Sequence, residues 1–518
     1  MDRRRFIQLT GATTLVSLGS SVAAQPPIKD RIEIHAWTAV GIPMPSPILD
    51  QVYFLDLNDE PMPNLPRQVE DGRLWSQPPT QPFAIAFSLA VKGFGNMVLF
   101  ADNQGRGYSP SDFPLNLNLA CGRSRIHRVQ QAINQWSGDY TTVRDQLQRA
   151  SAKLRRAEAA TDPQQMAGWA NESLRDSLWA GERAALIQAE YNIAQQGSRP
   201  NFLWGCNFFG YPSAGPEYNR QFRELFNFAT LPLYWKSFEP QRNQPNFATL
   251  DQSVNWLRQA GITPKGHPLV WFHEVGVPDW IKDLSYAQIR DLTRSRVRDI
   301  TRYWGDRVPY YDIINEAHDI EWGNILNFSP EQMLEMTQVA STAAVEGYAE
   351  VQRIINICCA WSGYVVKTQS ERPLQSAYRY LQTCLAQEIP FEMIGMQLYY
   401  PDQDMFEINR MLDRFGQLGK PVHITELGVS SATERDEDSY FKDPPGLWHG
   451  PWTETIQADW IEQFYTLCYS KLYIHAITWW DFADKGFWPH GGLLRRDMTP
   501  KESYWRLQTL RQRWSGLR

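Results

Sequence analysis

Two short stretches of this 518-residue chain end an apolar run on a carboxylate. "DIINEAHD" brings Glu316 directly after Ile313, Ile314 and Asn315. "VHITELGV" brings Glu426 after Ile424 and Thr425. A buried carboxylate is costly unless it is paired or hydrogen-bonded, so one closing a core-forming run asks for a partner or a task. The bland reading of each is an ion pair at a rim. Two such groups facing one another can divide a reaction. One gives a proton to a leaving oxygen while the other attacks or activates water, which is the pair that a glycosidic bond requires.

The elements that must position them follow a rhythm that begins after residue 200. Short apolar runs recur, each followed by polar sequence of helical spacing. They are "FLWGCNFFG" (202–210), "FNFATLPLYW" (226–235), "TPKGHPLVW" (263–271), "YYDIINEAH" (310–318), "IINICCAW" (354–361), "EMIGMQLYY" (392–400), "PVHITELGV" (421–429) and "HAITWWDF" (475–482). Eight buried strands alternating with helices predict an α/β fold, a (β/α)8 TIM barrel over 201–518. In that barrel the active site lies at the C-terminal ends of the strands. Glu316 closes the fourth run and Glu426 the seventh, on opposite sides of the mouth.

The front of the chain reads differently. "MDRRRFIQLTGATTLVSLGSSVAAQ" has a basic start, an apolar middle and a small-residue end, so residues 1–24 are expected to be a twin-arginine-type signal peptide, cleaved near Ala24. Export to the periplasm or outside a bacterial cell follows, with no membrane association once the signal is gone. Residues 25–115 alternate as strands, in "RIEIHAW", "VYFLDL", "FAIAFSLAV" and "NMVLFAD", and predict a small β-sandwich-like accessory domain. Residues 116–200 take helical spacing, with Val129, Ile133 and Trp136 on one face, and predict a helical connector that ends at "GSRP". Asp162-Pro163 interrupts it. The net charge of −6 gives no basic face for nucleic acid. The 21 Trp and 22 Tyr suit sugar rings, whose C–H faces stack on aromatics. The six cysteines form no Cys-x-x-Cys pair and read mostly as small core residues, with room for one bridge.

Over about residues 200 to 510 the sequence resembles glycoside hydrolase family 10, the retaining endo-xylanase family. "YYDIINEA" is similar to the family's acid/base strand and "VHITELGV" to its nucleophile strand. "GHPLVW" resembles Gly-His-Thr-Leu-Val-Trp, and "ITWWDFADKGFW" resembles the last strand. The resemblance implies that Glu316 is the general acid/base and Glu426 the nucleophile, and that Asn315 donates to the sugar 2-hydroxyl. His267, Trp271, Gln397, Trp480 and Trp488 match family positions around the catalytic sugar or its walls. It implies a β-1,4-linked plant polysaccharide as partner, xylan first, cut by double displacement.

Three places depart from the family pattern. Leu231-Pro232 stands where the family has Glu-Asn; Lys236 is the candidate for the family lysine, with Trp235 as a stacking alternative. The sixth strand ends Gln397-Leu398-Tyr399 instead of Gln-x-His, and a Tyr399 hydroxyl can donate to Glu426 in the histidine's place. Phe272 follows Trp271 where the family has His, so His273 is the residue to fill that role or to lie at the surface. These changes touch the sugar walls more than the glutamates. Another β-glycanase of the same barrel clan, a glucanase or mannanase, and a non-catalytic carbohydrate-binding barrel are the alternatives. No Gly-x-Gly-x-x-Gly follows a strand, and the nine histidines include no His-x-His or His-Glu-x-x-His, so no cofactor and no metal are expected. The expected working form is a monomer.

Overall fold

The computed structural model describes residues 31–517 except 63–64, 71, 362, 368–373 and 401. The expected signal peptide lies outside the described residues. Seven strands open the described chain: β1 (Ile32–His35), β2 (Tyr53–Leu55), β3 (Arg67–Glu70), β4 (Arg73–Ser76), β5 (Ala84–Val91), β6 (Gly95–Ala101) and β7 (Leu115–Asn116). They form two sheets, ordered β3-β4-β1-β7 and β2-β5-β6. The period-2 geometry of a strand sends alternate residues to opposite faces. In β5 that rule sends Ile85, Phe87 and Leu89 into the main core, and Ala84 and Ala86 into a smaller cluster with Tyr53, Leu55 and Val98. Val366, from beyond the fifth barrel strand, completes that cluster. The sheet is therefore covered on both faces.

Three helices follow, Leu117–Gln135, Thr141–Ala159 and Pro163–Gln196. The Asp162-Pro163 pair that interrupts the helical spacing starts the third helix. The Asp162 side chain accepts from the Gln165 N–H, and Pro163, which has no N–H to satisfy, takes the first turn.

The remaining strands close into a parallel barrel: β8 (Leu203–Asn207), β9 (Phe228–Pro232), β10 (Thr263–His267), β11 (Tyr310–Asn315), β12 (Gln352–Ile357), β13 (Met393–Tyr399), β14 (Val422–Gly428) and β15 (Ile474–Trp479), with β15 pairing back to β8. Each lies within one of the eight apolar runs, apart from the first two residues of β12 and the first of β15. Parallel strands wrapped by helices are buried on both faces, which is why the runs are continuous and not alternating.

The front sheets and helices pack on the barrel. Ile34, Phe87 and Leu178 share one buried cluster with Trp204, Ile314 and Ile424. Charged groups are sealed in the seam. Arg125 donates to Asp404 at 2.6 Å and to Glu407 at 3.2 Å, and Arg128 bridges Asp102 and Glu407. The residues between β14 and the helix Glu454–Tyr469 make a long excursion that is tied to the front sheets and to the helix Pro163–Gln196. The Asn96 N–H donates to the Leu447 carbonyl at 3.0 Å, and Glu182 holds both His449 and the Trp448 indole.

His423 of β14 is buried in the barrel. Burial first, then the charges of Lys265 and His475, push its imidazole down to about 3. An unfolded histidine takes up its proton near pH ~6.5. The neutral folded form therefore contributes stability that is full above that value. It is lost as pH falls from there toward the folded value, by about 1.4 kcal/mol per pH unit. Urea denaturation at successive pH values between 7 and 5 is expected to show this slope in the wild type. His423→Phe should lose that part of it.

Candidate active site

The mouth of the barrel gathers the ends of β10 to β15. Glu316 directly follows β11 and is buried, with its backbone in the left-handed region at φ 53°. A non-glycine residue rarely sits there, and such strain is concentrated where a side chain must be aimed. The Glu316 N–H donates to the Asn356 carbonyl at 2.8 Å, which secures the turn. Glu426 lies near the end of β14 and is also buried. Register shifts at Asp312/Ile314, Met396/Gln397 and Ile424/Leu427 fall beside the residues that point into the site. Irregular pairing of this kind re-aims side chains at barrel rims.

A chain of amide contacts fixes the donors. Asn356 Nδ2 lies 3.2 Å from Glu426 Oε1 and 2.7 Å from Asn315 Oδ1. An ionised carboxylate only accepts, so the Asn356 nitrogen must face it, and the Thr425 hydroxyl donates to the Asn356 oxygen. Asn315 Oδ1 then accepts from both Asn356 and Gln397 Nε2, the latter at 3.1 Å. This leaves the Asn315 amide nitrogen as a donor for something else. The packing depends on Gly395, where a methyl would sit 2.6 Å from Asn356 Oδ1.

Glu426 has further partners. The Tyr399 hydroxyl donates to its Oε2 at 2.7 Å, and His267 Nε2 lies 3.6 Å from Oε1. Burial pushes the Glu426 carboxyl above its ordinary value. His267 and the Tyr399 hydrogen bond pull it down, the Glu316 charge pushes it up, and Lys265 pulls it down. The glutamates are thus close enough for the charge of one to act on the other. Behind them His267 Nδ1 contacts Asp312 Oδ2 at 2.7 Å, and Lys265 Nζ contacts the same oxygen at 2.6 Å.

Around Glu316 the environment differs. Ligand-type atoms of Glu316, Asp319 and Cys358 all lie within 4.8 Å of one another, in a fully buried group. Their mixed carboxylate and thiol chemistry is of a kind that can hold a metal ion. Asp319 in turn accepts from the Tyr364 hydroxyl.

The aromatic candidates divide. Trp271 is half-buried and stacks on His273, with ring centroids 4.4 Å apart. Its indole N–H finds no acceptor among the described residues, nor does that of Trp488. Trp480 is buried and meets His267 edge-on at 5.2 Å. Trp488 is buried too, stacked beneath Tyr399 at 5.1 Å, so it supports the wall without forming its surface.

Lys236 is not brought to the glutamates. It lies on the outside of the short helix Trp235–Phe238, 3.6 Å from Asp279. Trp235 is buried beside Trp280 and Arg296. The residue from this segment that faces the site is Tyr234, which packs edge-on to His267 at 5.6 Å and lies 6.1 Å from Trp271. Burial, then the charges of Glu426, Glu316 and Asp312, push its phenol well above the ordinary value, so it stays a neutral donor. Tyr234, Asn356 and the Lys265–Asp312 pair were not among the sequence candidates. Their polar atoms sit inside apolar runs, the one signal that marked them.

A family model, "Glycosyl hydrolase family 10", matches residues 216–509. The "Beta-1,4-xylanase" of Dictyoglomus thermophilum is 24% identical over 306 residues, covering 56% of this chain and 83% of that protein. The "Endo-1,4-beta-xylanase B" of Thermotoga neapolitana is 23% identical over 304 residues, covering 56% and 79%. The crystal structure of xylanase 10B from Thermotoga petrophila RKU-1 in complex with xylobiose aligns with a TM-score of 0.50 at 20% identity. It covers 62% of this chain and 96% of that one, and shares the barrel fold. Because the family model runs over more than half of the chain, this protein belongs to glycosyl hydrolase family 10 and is a glycoside hydrolase.

Proposed function

We propose that the chain cleaves a β-1,4-linked plant polysaccharide, xylan first, with retention of anomeric configuration. The observation that carries this reading is a pair of buried glutamates at the ends of two strands of one barrel mouth, near enough for the charge of Glu316 to act on Glu426. Glu426 collects the Tyr399 hydroxyl, the Asn356 amide and the nearby His267, and Glu316 shares its surroundings with Asp319 and Cys358. Glu426 then attacks the anomeric carbon to form a glycosyl ester as Glu316 protonates the departing oxygen. In the second step Glu316, now a carboxylate, takes a proton from water as that water displaces Glu426. The free amide nitrogen of Asn315 is available to the 2-hydroxyl of the sugar held between them. The names of the two curated relatives favour xylan. The departure from the family pattern at Leu231-Pro232 favours a second reading, a glucan or mannan cut by the same pair. A folded, inert carbohydrate-binding barrel is the outcome to exclude. Action on an external polymer agrees with the export expected from residues 1–24, and no helix among the described residues is long and apolar enough to cross a membrane.

Reducing-sugar release from xylan, mixed-linkage glucan and mannan decides the substrate. Release from another glycan alone would remove xylan and keep the mechanism; release from none would remove both. Glu316→Gln tests the acid. Its rate on polysaccharide should drop by roughly 10²–10⁴-fold. With a dinitrophenyl glycoside, whose leaving group needs no proton, the first step should be nearly spared. Equal losses on both would argue against an acid role.

A further inference from the structure

We infer that Tyr440 and Phe487 form an outer stacking subsite for a sugar ring of the chain held at Glu316 and Glu426, an inference that rests on the function proposed above. A continuous series of rings runs outward from the nucleophile candidate. Tyr399 contacts Glu426 through its hydroxyl, and its ring lies 5.1 Å from that of Phe487. Phe487 stacks on Tyr440 at 5.5 Å with the planes 10° apart. Tyr440 is 39% exposed, so the series ends in an aromatic ring open to solvent.

The two loops that bear these rings are fastened together. The Tyr440 N–H donates to the Gly486 carbonyl and the Phe441 N–H to the Phe487 carbonyl, both at 3.1 Å. Phe441 supports Phe487 edge-on from the buried side, at 4.9 Å. The buried Asp481 carboxylate accepts from the Phe487 N–H at 2.9 Å and the Trp488 N–H at 2.7 Å. Residues 429–453, which contain Tyr440, make a connection longer than compact domains usually carry without a task. Asn96 of the front sheets holds it through Leu447, and Glu182 of the helix Pro163–Gln196 holds it through His449. A ring fixed in this way loses little freedom when a ligand covers it, and its flat face suits the axial C–H groups of a pyranose. Continuity with the site makes the occupant a further unit of the same polysaccharide.

The test uses the full chain with Tyr440→Ala, Tyr440→Phe and Tyr440→Trp, each checked for an unchanged melting temperature. The value of kcat/KM is measured on the polysaccharide that the wild type hydrolyses and on a nitrophenyl glycoside of a single sugar. For Tyr440→Ala the ratio of polymer to short-substrate kcat/KM should fall by roughly 3- to 10-fold, the worth of one stacking contact. The change should appear in KM more than in kcat, and Phe and Trp should restore the ratio. An unmoved ratio, or equal losses on both substrates, would overturn the subsite while leaving the function intact. If the wild type hydrolyses none of the glycans, the function itself has failed and the subsite fails with it.

Discussion

Glu426→Ala is expected to lower kcat on the polysaccharide on the order of 10⁶-fold, as when other enzymes lose a nucleophile. The protein should stay folded, since the side chain is held by donors that a solvent-filled gap can satisfy: the Tyr399 hydroxyl and the Asn356 amide. Azide added to the variant should enter the vacated space and restore turnover of an activated aryl glycoside, giving a glycosyl azide of inverted configuration. Retained configuration in that product, or a variant still active on polysaccharide, would assign the nucleophile elsewhere. In the wild type the acid limb of kcat/KM should report Glu426, because it attacks only when ionised. Burial raises that carboxyl, so activity should be lost, as pH falls, above the range of an ordinary glutamate.

Lys265→Met should cost about 3–5 kcal/mol of stability, the usual result of breaking a buried ion pair from one side. Lys265 and Asp312 are both without solvent exposure, and their contact is 2.6 Å. The other Asp312 oxygen has no hydrogen-bond partner among the described residues, so the carboxylate would keep His267 alone. Urea denaturation at pH 7 measures the loss. The paired change Lys265→Met with Asp312→Leu should recover most of it, because both charges leave together. Activity should not recover, since His267 would lose the carboxylate that holds it. Lys265 also lowers the Glu426 carboxyl, so Lys265→Met alone should move the acid limb to higher pH. An unmoved limb would show that the ammonium does not reach the nucleophile candidate.

The barrel was legible because its strands are buried on both faces and leave continuous apolar runs. Glu316, Glu426 and Asn315 stood out as candidates because each is a polar group at or near the end of such a run. Tyr234 shows the limit of reading along the chain. The sequence offered Lys236 and Trp235 from this segment, yet after β9 it is Tyr234 that packs against His267, while Lys236 lies at the exposed Asp279. Which way a residue faces after a strand depends on the turn, and apolar periodicity does not encode it. Asn356 and Lys265 escaped for another reason. Their partners, Glu426 and Asp312, lie 70 and 47 residues away, so the pairing that makes each polar group tolerable appears only once the barrel closes.

The shared core has a consequence for how this gene can be cut and exchanged. The segment matched by the family model starts at residue 216, but β8, Leu203–Asn207, is the stave that closes the barrel between β15 and β9. A cloning boundary drawn at the match would remove that stave and strip the front sheets and helices from faces that pack against them. Residues 31–200 are therefore not cargo on a tether. A recombination event that moved the catalytic barrel into another protein would have to take them along, or rebuild the surface they cover.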